Sequence, residues 1–77
     1  MNQQVRIEVD GRRITVIDEC ATAENGNVKV LAVETVAKGM RAKPVVRNIR
    51  STYLNAGASV VVWDEKKGDF VGRDHHV

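Results

Sequence analysis

The chain has 77 residues, a formal net charge of +2 and 43% hydrophobic residues. It is too short for two cores and too apolar to be a disordered chain. Its longest apolar runs, such as residues 60–63, are far below the roughly 20 residues of a membrane span. A lone cysteine, Cys20, excludes an internal disulfide and, with no apolar leader, predicts a cytoplasmic protein. We expect one domain over residues 1–77, with a frayed tail at 72–77.

The first predicted element is a β-hairpin. Residues 4–9 alternate between apolar and polar side chains, and the second strand is expected to fade at 18–20. Asp10-Gly11 between the strands is typical of a two-residue type I′ turn. Such a turn predicts a register in which apolar residues face each other, with Ile7 opposite Ile14 and Val5 opposite Val16, and opposite charges face each other, with Glu8 opposite Arg13.

Residues 28–37 then predict a third strand that is apolar on both faces, as in a central strand or a small barrel. A helix is expected near 44–56, with Pro44 at its first position and Gly57 just past its end. Its apolar stripe predicts burial of three residues in particular, Val46, Ile49 and Tyr53. Short strands are expected at 59–63 and 70–71.

These elements give the order β-β-β-α-β-β. The predicted class is α+β, mainly β. Two arrangements fit this order: a small five-stranded barrel like the OB-fold, which binds oligonucleotides, or an open sheet with the helix across one face.

The charge pattern is the strongest functional signal. No acidic residue occurs between Glu34 and Asp64, whereas five bases do: Lys38, Arg41, Lys43, Arg47 and Arg50. Such polarity predicts an anionic partner, either nucleic acid or an acidic protein surface. The alternative is a solvated helix face, or pairing with acids of the N-terminal half such as Asp18, Glu19 and Glu24, which we expect to be exposed.

Three further residues are candidates for the same nucleic-acid site. Trp63 could stack on a base, although a core position is the commoner role for a lone tryptophan. Lys66 and Lys67 lie in the charged turn that follows it.

The second half of the chain resembles a known family in four segments: Lys38-Gly39-Met40-Arg41-Ala42-Lys43, Leu54-Asn55-Ala56-Gly57, residues 60–64 and residues 65–71. A basic loop, a short helical link, an apolar strand and a lysine-containing turn follow one another in the same way in the S1-like OB domains of translation initiation factors one and one-A. The resemblance implies electrostatic binding of RNA on a small ribosomal subunit.

No arrangement in the sequence predicts catalysis, a metal site or a cofactor. Cys20, His75 and His76 lack the spacing of zinc ligands, and nothing orients an imidazole beside a nucleophile. The sequence therefore predicts a non-enzymatic nucleic-acid-binding module, RNA or single-stranded. The alternative is a small regulatory protein, with a homodimer left open, that binds an acidic partner through the same face or through a sheet edge.

Overall fold

The computed structural model describes residues 3–19, 29–66 and 68–71. Within these residues the elements are β1 (Gln4–Asp10), β2 (Arg13–Asp18), β3 (Lys29–Thr35), α1 (Ala42–Asn55), β4 (Ser59–Asp64) and β5 (Asp69–Val71). This arrangement confirms the expected α+β class, mainly β with one helix. The expected frayed tail at 72–77 lies outside the described residues.

The strands form one open mixed sheet in the order β3-β2-β1-β4-β5. β1 and β4 are parallel, and the segment containing α1 provides the crossover that a parallel pair requires. The other neighbouring strands are antiparallel. Because β3 and β5 lie at opposite edges, the described strands do not form the barrel, and the open-sheet alternative is the one observed.

The third strand is therefore an edge strand, and the prediction that both of its faces are covered is wrong. The central position is taken by β1, which pairs with both β2 and β4. Two valines of β3, Val30 and Val33, lie on the face opposite α1 with Ile17 and Thr15, where no described element covers them, and they are 50% and 56% exposed. The β-branched residues of this segment identify a strand correctly, but they do not indicate its place in the sheet.

The hairpin is present, but its predicted register is wrong. Gly11 and Arg12 form the turn, so Ile7 faces Val16 and Val9 faces Ile14. Gly11 has φ = 60° and Arg12 has no positive φ, which is the pattern of a type II′ turn rather than type I′. The register moves by two residues along β2, and each side chain therefore stays on its predicted face.

One face of the sheet carries the core. Its buried strand residues come from the three central strands and are Val5, Ile7, Ile14, Val16, Val60 and Val62. Helix α1 packs on this face, with Ile49 buried and Val46 and Tyr53 only partly buried against the core. The predicted apolar stripe therefore faces the core, as expected, but of the three residues only Ile49 is buried.

The helix begins at Ala42, two residues before the predicted start, so Pro44 is its third residue. Its end agrees with the prediction. Gly57 has φ = 91°, its N–H donates to the carbonyl of Leu54 (2.9 Å), and the N–H of Ala58 donates to that of Tyr53 (3.0 Å). These two bonds form a Schellman motif, which needs a residue with positive φ at this position.

Candidate nucleic-acid interface

The loop between β3 and α1 is held against the β1–β2 turn. The N–H of Val36 donates to the carbonyl of Arg12 (2.7 Å), and Nε of Arg12 donates to the carbonyl of Val36 (2.9 Å). Val36 itself is buried. Since two hydrogen bonds and a buried side chain fix its start, the loop has a defined position relative to the hairpin.

This contact brings bases from three segments to one end of the sheet. The C-terminal ends of β1, β3 and β4 and the beginning of β2 all lie there, because β1 and β4 are parallel and β2 is antiparallel to β1 and β3. We call this the basic end. Its exposed cations are Arg12, Arg13, Lys38, Arg41 and Lys43.

Arg12 and Arg13 were missed by the sequence analysis, because they lie far from the acid-free segment along the chain. Arg12 and Val36 are separated by 24 residues. No local signal in the sequence indicates this proximity, since it depends on the antiparallel pairing of β3 with β2, which brings the end of β3 beside the turn of the first hairpin.

The N-terminus of α1 adds to the positive potential of the basic end. Arg41 is the N-cap residue and makes no side-chain capping bond, and the first turn contains no acidic residue. The first N–H groups of a helix carry partial positive charge, which an acidic side chain would otherwise offset. Here the two nearest charged side chains in sequence, Arg41 and Lys43, are both cationic.

Arg47 and Arg50 extend the charge along the helix, but their surroundings differ. Arg47 is exposed one turn after Lys43, so the two side chains are neighbours on the helix surface. Arg50 is partly buried. Arg47 also lines an open groove of about 560 Å³ between α1 and Glu34 of β3.

In-chain ion pairing does not neutralise these exposed bases within the part of the chain that is described. Ion pairs there join Arg6 to Glu8 (3.6 Å) and to Glu19 (2.6 Å). None of the described pairs involves Arg47 or the five cations of the basic end.

The acidic residues at the end of β2 lie away from the basic end. Asp18 is 7% exposed and accepts a hydrogen bond from Nε2 of Gln3 (3.0 Å), so its predicted exposure is wrong. Five residue steps along β2 separate Asp18 from Arg13, or about 17 Å at about 3.3 Å per residue. Glu24 lies outside the described residues.

Trp63 lies on the sheet face opposite α1. It is opposite Glu8 in the β1–β4 register, whereas the core residues Ile7 and Val62 pair with each other on the helix side. Trp63 is partly exposed and is not part of the core cluster, and its Nε1 donates to Oε1 of Glu65 (2.7 Å). Its side chain is therefore near the basic end along the strand but on the other face from α1.

Of the two lysines in the β4–β5 turn, Lys66 and Lys67, only Lys66 lies among the described residues. Lys66 is exposed, and its backbone N–H donates to Oδ1 of Asp64 (2.9 Å). With Asp64 and Glu65 beside it, its charge is locally balanced. Lys67 lies outside the described residues, as do Cys20, His75 and His76.

Within residues 3–19, 29–66 and 68–71, no three acidic, cysteine or histidine side chains are grouped so as to hold a metal ion. Over the same residues, no helix has the length and apolar character to cross a membrane.

Comparison of the chain with protein-family models, with curated proteins and with solved structures gives no match. The resemblance to the initiation-factor family therefore stays a prediction.

Proposed function

We propose that this chain is a non-enzymatic module that binds single-stranded nucleic acid or RNA through the basic end and the adjoining Arg47. The main support is the pair of hydrogen bonds between Arg12 and Val36, which join the hairpin turn to the acid-free loop. Together with the pairing of Arg13 and Thr35 across β2 and β3, this contact fixes the start of the loop relative to Arg12 and Arg13.

The chemistry of the cluster suits phosphates. Arginine and lysine at a surface bind phosphate oxygens without reading base sequence, and release condensed counterions as they do so. The helix N-terminus favours anions at the same place. Asp10 and Glu34 are exposed acids at the same end of the sheet, but none of the described ion pairs joins either of them to a cation of the basic end. Asp18 and Glu19 lie at the opposite end, where they are bonded to Gln3 and Arg6.

The preference for RNA is part of the proposal that depends on the sequence alone. The resemblance of the second half to the initiation-factor family implies RNA on a small ribosomal subunit. The lone Cys20 is the ground for expecting a cytoplasmic location. Trp63 would add base stacking if a strand continued from the basic end onto the sheet face opposite α1.

The proposal is tested by fluorescence anisotropy with labelled RNA and single-stranded DNA over a range of salt concentrations. The test variant is Lys38→Gln/Arg41→Gln, which removes two charges from the basic end. The control is Gln4→Glu/Asn55→Asp, which lowers the net charge by the same two units at exposed positions near the other end of the molecule.

We expect the test variant to bind at least about tenfold more weakly and to lose about two units or less of salt slope, since each phosphate contact contributes about 0.7 to 0.9. The control should keep the wild-type slope. Equal loss in both variants would mean that only net charge matters, and would contradict a defined site. Absence of binding even at low salt would reject nucleic acid and favour an acidic protein partner for the same surface.

A further inference from the structure

The outer edge of β3 is the longer of the two sheet edges. β3 has seven residues, whereas β5 at the other edge has three. β2 pairs with one side of β3, and no strand among the described residues pairs with the other. Backbone N–H and C=O groups along that side are therefore available to another strand, which is the usual route to pairing between chains.

An irregularity in β3 changes which of its side chains share a face. Val16 faces Ala32 but Ile17 faces Val30, so β3 has one extra residue, Leu31, at a β-bulge. As a result Val30 and Val33 lie on the same face, with Ile17 and Thr15. Lys29 and Glu34 share the other face, with Asp18 and Ile14. In a regular strand, residues three or five apart would lie on opposite faces.

This arrangement makes the edge complementary to itself. A two-fold axis perpendicular to the sheet leaves each face on its own side, so residues that meet across it must share a face. Lys29 and Glu34 satisfy this condition, and so do Val30 and Val33. An antiparallel pairing in which Leu31 of one copy faces Ala32 of the other brings both matches about at once.

We propose that two copies of this chain pair through β3 in this register, giving a continuous sheet. Each copy sets Lys29 opposite Glu34 and Val30 opposite Val33, so both matches occur twice. Opposite charges and β-branched residues are favourable partners across antiparallel strands. The exposed large apolar side chains among the described residues are Val30, Val33 and Met40. The contact would cover both valines.

A second copy suits this edge because the match is between the strand and itself. A bulge and charged side chains commonly prevent edge pairing. Here, however, the bulge is what puts the two valines on one face, and the charges have opposite signs at symmetric positions. A strand of another protein would need the same bulge to match both faces.

The dimer is independent of the proposed nucleic-acid function. An antiparallel pairing directs the two basic ends away from each other, so each copy would keep its own site. Oligomeric state is measured without nucleic acid, and failure of one proposal is therefore distinguishable from failure of the other.

The test is sedimentation velocity from low to high micromolar protein, with charge variants of the edge. The wild type should shift toward twice its 8.5 kDa mass as concentration rises. Lys29→Glu and Glu34→Lys each create two like-charge pairs and should weaken dimerisation by about tenfold or more. The double variant Lys29→Glu/Glu34→Lys restores both pairs and should dimerise like the wild type.

Each outcome decides the proposal. Recovery of the dimer in the double variant supports this register and also shows that the substitutions permit folding. A wild type that stays monomeric throughout overturns the proposal. So does a folded double variant, checked by circular dichroism, that stays monomeric, or single variants that dimerise normally. Val33→Lys should also weaken the dimer, whereas the matched control Met40→Lys, at a residue 67% exposed in the loop, should not.

Discussion

Replacement of Ile49 by alanine tests whether α1 is firmly packed on the sheet, on which the position of the basic end depends. Ile49 is 9% exposed and is the most deeply buried of the described residues of α1. The change removes three carbon atoms, worth about 0.8 kcal/mol each in transfer free energy, and leaves a cavity that adds to the loss. We expect the free energy of unfolding to fall by about 2–4 kcal/mol.

A loss of this size is large for a domain of 77 residues, whose total stability is of the order of 4–12 kcal/mol. At about 4–8 °C per kcal/mol, the melting temperature should fall by roughly 10–30 °C in thermal unfolding followed by circular dichroism. Met40→Ala is the control, because Met40 is 67% exposed in the loop and should cost about 0.5 kcal/mol or less. Equal losses in the two variants would refute the packing of α1 described above.

Three other predictions concern the turn, the helix surface and the salt dependence. Gly11→Val should lower the free energy of unfolding by about 1 kcal/mol or more, because φ is 60° and valine disfavours positive φ, whereas no atom lies within 4 Å of an added Cβ. Gly11→Asn should cost less, since asparagine tolerates this conformation, and equal losses in chemical denaturation would exclude the conformational cause. Arg47→Glu should weaken oligonucleotide binding in anisotropy assays while leaving the melting temperature nearly unchanged, since Arg47 is exposed, and a large fall in stability would indicate pairing within the chain. With six phosphate contacts, the affinity for single strands should fall about 300-fold for a fourfold rise in salt, and an affinity independent of salt would contradict phosphate binding.

The local structure follows from the sequence to a large extent. Alternation identifies β1 and β2, and the apolar stripe with Gly57 identifies α1 and its end. The predicted turn lies one residue before the observed one, because glycine provides a positive φ either as the second central residue of a type I′ turn or as the first of a type II′ turn. Asp10-Gly11 and Gly11-Arg12 both satisfy these rules, and the choice depends on pairing along the whole hairpin.

Features that depend on contacts distant in sequence could not be predicted. The burial of Asp18 depends on packing at the end of β2, where Gln3 provides a hydrogen bond from 15 residues away. The edge position of β3 depends on β4 pairing with β1, which hydrophobic periodicity does not report. The composition of the basic end has the same origin, since Arg12 joins it through the topology of the sheet.

Arg12 has two separable roles at the basic end, and Arg12→Lys distinguishes them. Lysine keeps the positive charge but lacks the Nε–H group that donates to the carbonyl of Val36. Loss of this part-buried bond should reduce the free energy of unfolding by about 0.5–1.5 kcal/mol and loosen the start of the loop. If the loop binds phosphates as a fixed array, oligonucleotide affinity should fall severalfold although net charge is unchanged, because the bases must then be ordered on binding. Arg13→Lys is the matched control, since Arg13 is the exposed neighbour and takes part in none of the side-chain hydrogen bonds of the described residues. Equal affinity of the two variants and the wild type would mean that only the charge of Arg12 contributes, and that the anchoring of the loop has no part in binding.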